Sequence, residues 1–213
     1  MESDELNVAK GEEKYERYRS QLGEDHADTL TSLNNLANLL AYDGNFNRAL
    51  PMFEDCLERR KRVLGDDHPD TLKTLNNLAG LFFNNDDYDR AIPMFEACLA
   101  RNRRVLGEDH PDTLASLNTL GVVLKNKGDH DRALPMFEDC LERRKRVLGE
   151  DHPDTLTSLN NLEDLLLKMG SRILVANAVG NVEELPQLQE EEQKKRDTLE
   201  RVRSLSGLSG VGV

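Results

Sequence analysis

Four histidines with neighbouring aspartates are the residues whose types come closest to a metal or acid–base site. They recur every 42 residues, as His26, His68, His110 and His152. Ligands of one metal ion must converge within a few ångström, whereas equivalent residues in an array of helix pairs are displaced by about a helix-pair width, ~20 Å. A catalytic site needs the same convergence. We therefore expect no catalytic residue, no metal site and no cofactor.

Three cysteines, Cys56, Cys98 and Cys140, share the 42-residue spacing. Their number is odd, and the spacing separates them too far for disulfide geometry. Each occupies a small-residue position on an apolar helix face, which is typical of a buried thiol. The pattern predicts core thiols in a reducing compartment and hence a cytoplasmic protein.

Two basic clusters, residues 59–62 and 143–146, raise the possibility of nucleic-acid binding. Each falls in the last turn of a predicted helix, where cations favour the helix dipole, and an acidic linker follows it. The chain has 28 Lys and Arg against 40 Asp and Glu, a net charge of −12, whereas phosphate-backbone affinity requires positive charge. We interpret the clusters as local charge balance and expect no nucleic-acid partner. No run approaches ~18 consecutive apolar residues, so no membrane span is expected either.

An internal repeat organises most of the sequence. The phrase LG-(E/D)-D-H-(P/A)-D-T-L begins at residues 22, 64, 106 and 148, always 42 apart, and residues 50–71 match residues 134–155 except at one position. The period predicts an N-terminal capping helix, three full repeats, a half repeat and a divergent tail that is partly helical and partly disordered, with the bounds 1–21, 22–63, 64–105, 106–147, 148–170 and 171–213.

Each repeat contains two amphipathic helical patterns separated by turn residues. The first begins at a proline suited to the first helical position, as at Pro69. The second is expected to pair Asp55 with Arg59 and Glu58 with Arg62 on its exposed side. Its buried side is expected to carry Ala49, Leu50, Phe53, Cys56, Leu57 and Val63.

A proline lies inside each second helical pattern, at Pro51, Pro93 and Pro135. Proline removes a backbone hydrogen bond and crowds the carbonyl four residues earlier. If Asn47, Asp89 and Asp131 were the helix caps, each proline would lie in the first turn of its helix, where that cost is small. Without such caps the pattern predicts a bend.

The small and large residues of each repeat resemble the tetratricopeptide repeat. The matching residues of the first unit are Leu33, Leu36, Ala37, Leu40, Gly44, Phe46, Ala49, Phe53 and Cys56. The longer period, with LG-x-DHPDT-x3-LNNLA, resembles the kinesin light chain-like branch. The resemblance implies an all-α, right-handed superhelical solenoid of helix-turn-helix repeats. It also implies a concave groove that binds peptides, which in light chains are short, acidic and aromatic.

The resemblance places the peptide-binding positions on the first helix of each repeat. Asparagine suits this role because its amide both donates to and accepts from an extended backbone, and lysine attracts acidic side chains. The implied binding residues are Asn34, Asn38, Lys73, Asn76, Asn84, Asn118, Lys125, Asn126 and Asn160, with Thr31, Tyr42, Phe83, Ala115, Thr157 and Lys168 beside them. The alternative is that the asparagines only solvate the inner face and tie neighbouring helices together.

The predicted function is a non-catalytic interaction or adaptor module that binds an extended peptide or a partner helix. The long heptad segment of light chains is missing, so attachment to a motor is not expected. One alternative is a self-associating structural fragment, a homodimer through the C-terminal end, because the incomplete fourth unit leaves leucines such as Leu165 in need of cover. Another is a scaffold region of a larger signalling protein. The tail is expected either to cap the array or to act as a partner helix.

Overall fold

Helices form the regular structure of the described part of the chain. The computed structural model describes residues 2–178, 190, 193–194, 196–198 and 200, and over these it contains no strand. The tail, residues 171–213, was predicted to be partly helical and partly disordered, and much of it lies outside the described residues. The helices are α1 (Glu2–Leu22), α2 (Ala27–Tyr42), α3 (Phe46–Leu64), α4 (Pro69–Asn84), α5 (Tyr88–Leu106), α6 (Pro111–Lys127), α7 (His130–Leu148) and α8 (Pro153–Ala178).

The chain divides into two compact units, residues 1–116 and 117–213. In the first unit, α1 packs on α2, α2 on α3, α3 on α4 and α4 on α5, and α2 also touches α4. In the second unit, α7 packs on α8. In each of these consecutive pairs, helices that are neighbours in sequence pack together, and α2 and α4, the first helices of two successive repeats, lie side by side.

The repeated histidines begin the first helices. Nδ1 of His26 accepts a hydrogen bond from the backbone N–H of Asp28 at 3.2 Å, and Nδ1 of His68 accepts one from Asp70 at 3.1 Å. His110 and His152 make the same contact. An imidazole nitrogen thereby takes the role that Ser, Asn or Asp usually has at this position. Proline follows at the first helical position of α4, as predicted.

The caps of the second helices lie two residues earlier than Asn47, Asp89 and Asp131. Asn45, Asp87 and Asp129 are the residues before the first helical residue, so the alternative in which Asn47, Asp89 and Asp131 cap these helices does not hold. Each second-helix proline consequently lies inside the helix, beyond its first turn. Pro51, Pro93 and Pro135 are all exposed, so the missing N–H faces the solvent side of the helix.

The core consists of the predicted apolar grid. Ala37, Ala49, Phe53 and Cys56 are fully buried, and their equivalents in the next two repeats are buried as well. One assignment to the core is wrong, because Val63 is 48% exposed. At the N-terminus, Tyr15 of α1 packs against the cluster of Leu30, Leu33 and Cys56.

The fourth unit departs from the others at Glu163. Glu163 occupies the position of Ala37 but is exposed, so its carboxylate incurs no burial cost. Helix α8 continues past the predicted end of the half repeat to Ala178. In the tail, the hydroxyl of Thr198 donates to Oε1 of Glu138 on α7 at 3.3 Å, and Thr198 is buried. Thr198 of the tail therefore contacts the array.

Candidate peptide-binding surface

One face of α2 and one face of α4 are polar and open. Residues spaced i, i+4, i+7 and i+11 share a helix face, and on α4 these are Lys73, Asn77, Gly80 and Asn84, all exposed or half-buried. We call this face of a first helix the polar stripe. On the adjacent α2 the polar stripe is Thr31, Asn35, Asn38 and Tyr42, and Tyr42 is 91% exposed.

Asparagine side chains join neighbouring first helices, and one of them, Asn77, belongs to the polar stripe of α4. Nδ2 of Asn77 donates to Oδ1 of the buried Asn34 at 3.3 Å, and in the second unit Nδ2 of Asn161 donates to Oδ1 of Asn118 at 3.1 Å. These bonds match the alternative in which asparagines tie helices together. They use one of the two amide N–H groups of each donor, so capacity for further hydrogen bonds is left.

The second unit differs in charge from the expected lysine-lined surface. Nζ of Lys125 lies 2.7 Å from a carboxylate oxygen of Asp164, and the Lys125 side chain is only 9% exposed. The hydrogen bond from Lys125 lowers the pKa of Asp164. Lys168 also approaches Asp164, at 3.6 Å. Lys73, in the first unit, is exposed.

The predicted binding residues divide between the two units. Asn34 is buried, Asn38, Asn76, Asn118 and Lys125 are half-buried, and Lys73, Asn84, Asn126 and Asn160 are exposed. Their assignment to peptide binding stays a prediction. Sequence reasoning missed Asn35, Asn77, Asn161 and Asp164, although the second asparagine of the LNN triplet was a visible signal.

Gly80 is a further residue of the polar stripe that sequence reasoning missed. A Cβ at this position would meet no atom within 4 Å, so internal packing does not require glycine here. Gly121 contrasts with it, because a Cβ there would lie 2.8 Å from Cε1 of Phe137. Glycine inside a helix costs stability, and open space above it lets another backbone come close.

The basic clusters have two different structural roles. Arg59 binds Glu24 at 2.7 Å, and Arg62 binds Asp25, which belong to the acidic linker before α2. The predicted pair of Asp55 and Arg59 is present at 2.7 Å. The predicted partner of Arg62 is wrong, because this guanidinium contacts Asp25 instead of Glu58. The long side chain of Arg62 extends from α3 to the linker before α2, where it binds Asp25.

Arg60 is the member of the first cluster that the charge-balance interpretation did not explain. It is 2% exposed, and its guanidinium donates to the backbone carbonyl of Asp70 at 2.8 Å and to the Thr31 hydroxyl at 3.1 Å. The equivalent Arg144 is also buried and donates to the carbonyl of Asp154 at 2.8 Å. A buried arginine thus joins a second helix to the start of the next first helix.

The cysteines are buried and free, as predicted. Burial raises the pKa of Cys98 to about 12 and also raises the pKa of Cys56 and Cys140. The sulfur of Cys56 lies 3.3 Å from the carbonyl of Leu30. Thiols of this kind are core groups with little reactivity. In the described part of the chain, no three His, Cys, Asp or Glu side chains come together as a metal site.

Comparisons with known proteins identify the repeat. Two family models described as tetratricopeptide repeat match residues 29–70, 70–145 and 120–172. The chain belongs to the tetratricopeptide-repeat family. Such repeats are in general protein–protein interaction modules and generally lack catalytic activity. No curated protein sequence matches the chain. Among the helices described, none has the length and apolar character needed to cross a membrane.

Solved structures of other tetratricopeptide-repeat proteins share the fold. The nearly identical TPR-like repeats of a Podosopora anserina protein named as a kinesin light chain give a TM-score of 0.68 at 22% identity, over 93% of this chain and 89% of that one. BtubC (BKLC) from P. vanneervenii gives 0.63 at 24% identity, over 93% and 76%. The resemblance to kinesin light chain-like repeats and the all-α solenoid fold class are therefore confirmed.

Proposed function

We propose that this tetratricopeptide-repeat protein is a non-catalytic, cytoplasmic adaptor that binds an extended peptide along the polar stripes of α2 and α4. The observation that carries the proposal is the stripe of α4 itself. It presents an exposed lysine, two asparagines and a helix glycine with open space above it, on a helix that touches its equivalent in the preceding repeat. The open space above Gly80 gives another backbone room to approach this face.

Each residue of the α4 stripe has a definite chemical task in this proposal. The amides of Asn77 and Asn84 donate to peptide carbonyls and accept from peptide N–H groups. Gly80 allows the peptide backbone to approach the helix closely, since no side chain stands between them. On α2, the exposed ring of Tyr42 offers an apolar contact to one peptide side chain.

The charge preference of this surface comes from the first unit. Lys73 is an exposed cation there, whereas Lys125 in the second unit is neutralised by Asp164. One exposed lysine gives a modest attraction for acidic side chains that salt weakens. We therefore propose a partner peptide with an acidic residue near Lys73, bound chiefly through its backbone.

Fluorescence-anisotropy titration against labelled acidic-aromatic and basic-aromatic peptides tests the proposal. The test variant is Lys73→Ala/Asn84→Ala, which removes two exposed groups of the α4 stripe. The matched control is Asn47→Ala/Lys61→Ala, which removes the same residue types from exposed positions of α3. Circular dichroism and the urea midpoint establish that both variants remain folded.

We expect saturable binding of the acidic-aromatic peptide, weakened about tenfold or more by the stripe variant and unchanged by the control; tenfold corresponds to ~1.4 kcal/mol. Equal effects of the two variants would place the binding surface elsewhere. No binding of any peptide at about 1 mM, where even roughly −4 kcal/mol would be detected, would overturn the proposal.

A further inference from the structure

Helix α8 is the first helix of the fourth unit. It exposes a face whose equivalent is covered in the complete repeats. Leu156 is 45% exposed, whereas its equivalents Leu30, Leu72 and Leu114 are 1%, 7% and 1% exposed. One turn further along the same face, Asn160 is exposed, although its equivalent Asn34 is buried. Leu156 and Asn160 are therefore more exposed than their equivalents in the complete repeats.

Four residues define this α8 stripe: Leu156, Asn160, Glu163 and Leu167. Their spacing of four, three and four residues places them on one helix face, as in the a and d positions of a heptad. Leu167 is 68% exposed, and Glu163 is exposed as well. Leu165, by contrast, is fully buried, so it is not the leucine that needs a cover.

The order of residues in the α8 stripe is self-complementary. When two copies of α8 pack antiparallel, the two-fold axis passes midway between positions 160 and 163. Residues equally far on either side of the axis then face each other, so position 156 meets 167 of the second copy, and 160 meets 163. Leucine then meets leucine at both ends. In the middle, the amide of Asn160 donates to the carboxylate of the second copy's Glu163, and like charges do not face each other.

We propose that this protein forms an antiparallel two-fold homodimer through the α8 stripe. Such an isologous contact uses one patch twice and closes on itself. The stripe has only two leucine layers, so the dimer is weak and concentration-dependent. Within the described part of the tail, the contact of Thr198 lies on α7, at Glu138. The proposal is independent of peptide binding by the first unit.

Sedimentation equilibrium of the full chain, from about 1 µM to about 1 mM, tests the dimer and its geometry. Leu156→Asp is expected to weaken it at least about tenfold, while the control Val105→Asp, at a 50%-exposed valine of the first unit, leaves it unchanged. The Asn160→Glu change makes two carboxylates meet and is also expected to weaken the dimer. Both test positions are exposed in the single chain, so the fold is retained, which circular dichroism checks.

The exchange variant Asn160→Glu/Glu163→Asn tests whether residues 160 and 163 both lie in the dimer interface. It restores an amide opposite each carboxylate and is expected to return the dissociation constant to within about threefold of the wild-type value. A chain that stays monomeric over the whole range would overturn the proposal. A dimer that is insensitive to Leu156→Asp, or one that the exchange fails to restore, would also overturn it.

Discussion

Arg60 donates a 2.8 Å hydrogen bond to the hydroxyl of Thr74, so a buried guanidinium joins the second helix of one repeat to the first helix of the next. The equivalent bond from Arg144 to Ser158 is 2.9 Å long. In the repeat between them, Asn102 donates to Ser116, also at 2.9 Å. A side-chain donor at this position therefore links second helix to first helix in both units.

Replacing Arg60 by alanine should destabilise the protein by about 2–4 kcal/mol, because the change leaves a cavity and removes partners from buried polar groups. The exposed-side neighbour Arg59 makes surface ion pairs, so Arg59→Ala should cost at most ~1 kcal/mol. Urea unfolding followed by circular dichroism measures both. Equal costs for the two variants would contradict the linking role of Arg60.

The same substitution at two helix glycines should change stability in opposite directions. Gly121→Ala brings a methyl group against Phe137 and should destabilise by about 1–3 kcal/mol. Gly80→Ala meets open space and should stabilise by about 0.5–1 kcal/mol through helix propensity. Thermal unfolding measures the two shifts. Under the proposed function, Gly80→Ala should nevertheless weaken peptide binding, so it separates a functional cost from a structural one.

The capping role of the histidines predicts a substitution pattern that a metal or catalytic role would not produce. His68→Ala removes the acceptor for the backbone N–H of Asp70 and should cost about 0.5–2 kcal/mol. His68→Asn supplies another acceptor and should retain most of the stability. Urea midpoints of the two variants test this, and a loss with asparagine as large as with alanine would exclude capping.

Burial of Cys98 should make stability fall in alkaline solution. Its pKa is 9.0 ordinarily and about 12 in the folded chain. The folded state therefore holds the thiol proton more tightly, which stabilises it fully below pH 9, and this contribution is lost as the pH rises towards 12. Cys98→Val has no thiol to ionise, so its urea midpoint should fall less between pH 8 and pH 11. Parallel pH curves for the two proteins would be the contrary result.

Most of the fold was predictable because the 42-residue period repeats the same apolar grid. Ala37 and Phe53 are buried as the grid requires. The errors lie at helix ends and flanks. The cap of α3 is Asn45 instead of Asn47, since the turn is shorter than the pattern indicated, and Val63 is exposed near the C-terminal end of α3, where packing no longer covers that side.

The candidate site was less predictable because its properties depend on pairing between repeats. Lys125 is of a residue type that suits binding of an acidic peptide. Its charge is neutralised by Asp164, 39 positions later in sequence. Asn34 has the right residue type and is buried beneath Asn77. Such pairs follow from side-by-side packing of first helices, which residue types alone do not specify.

The near-identity of residues 50–71 and 134–155 has a consequence for how this chain can change its length. Arg60 and Arg144 both reach the carbonyl ten residues later at 2.8 Å, so the same short stretch makes the same contacts in two places. Each stretch therefore contains the residues that bind it to the following first helix. Duplication or loss of a whole 42-residue segment by unequal recombination would therefore produce longer and shorter chains whose junctions are already compatible.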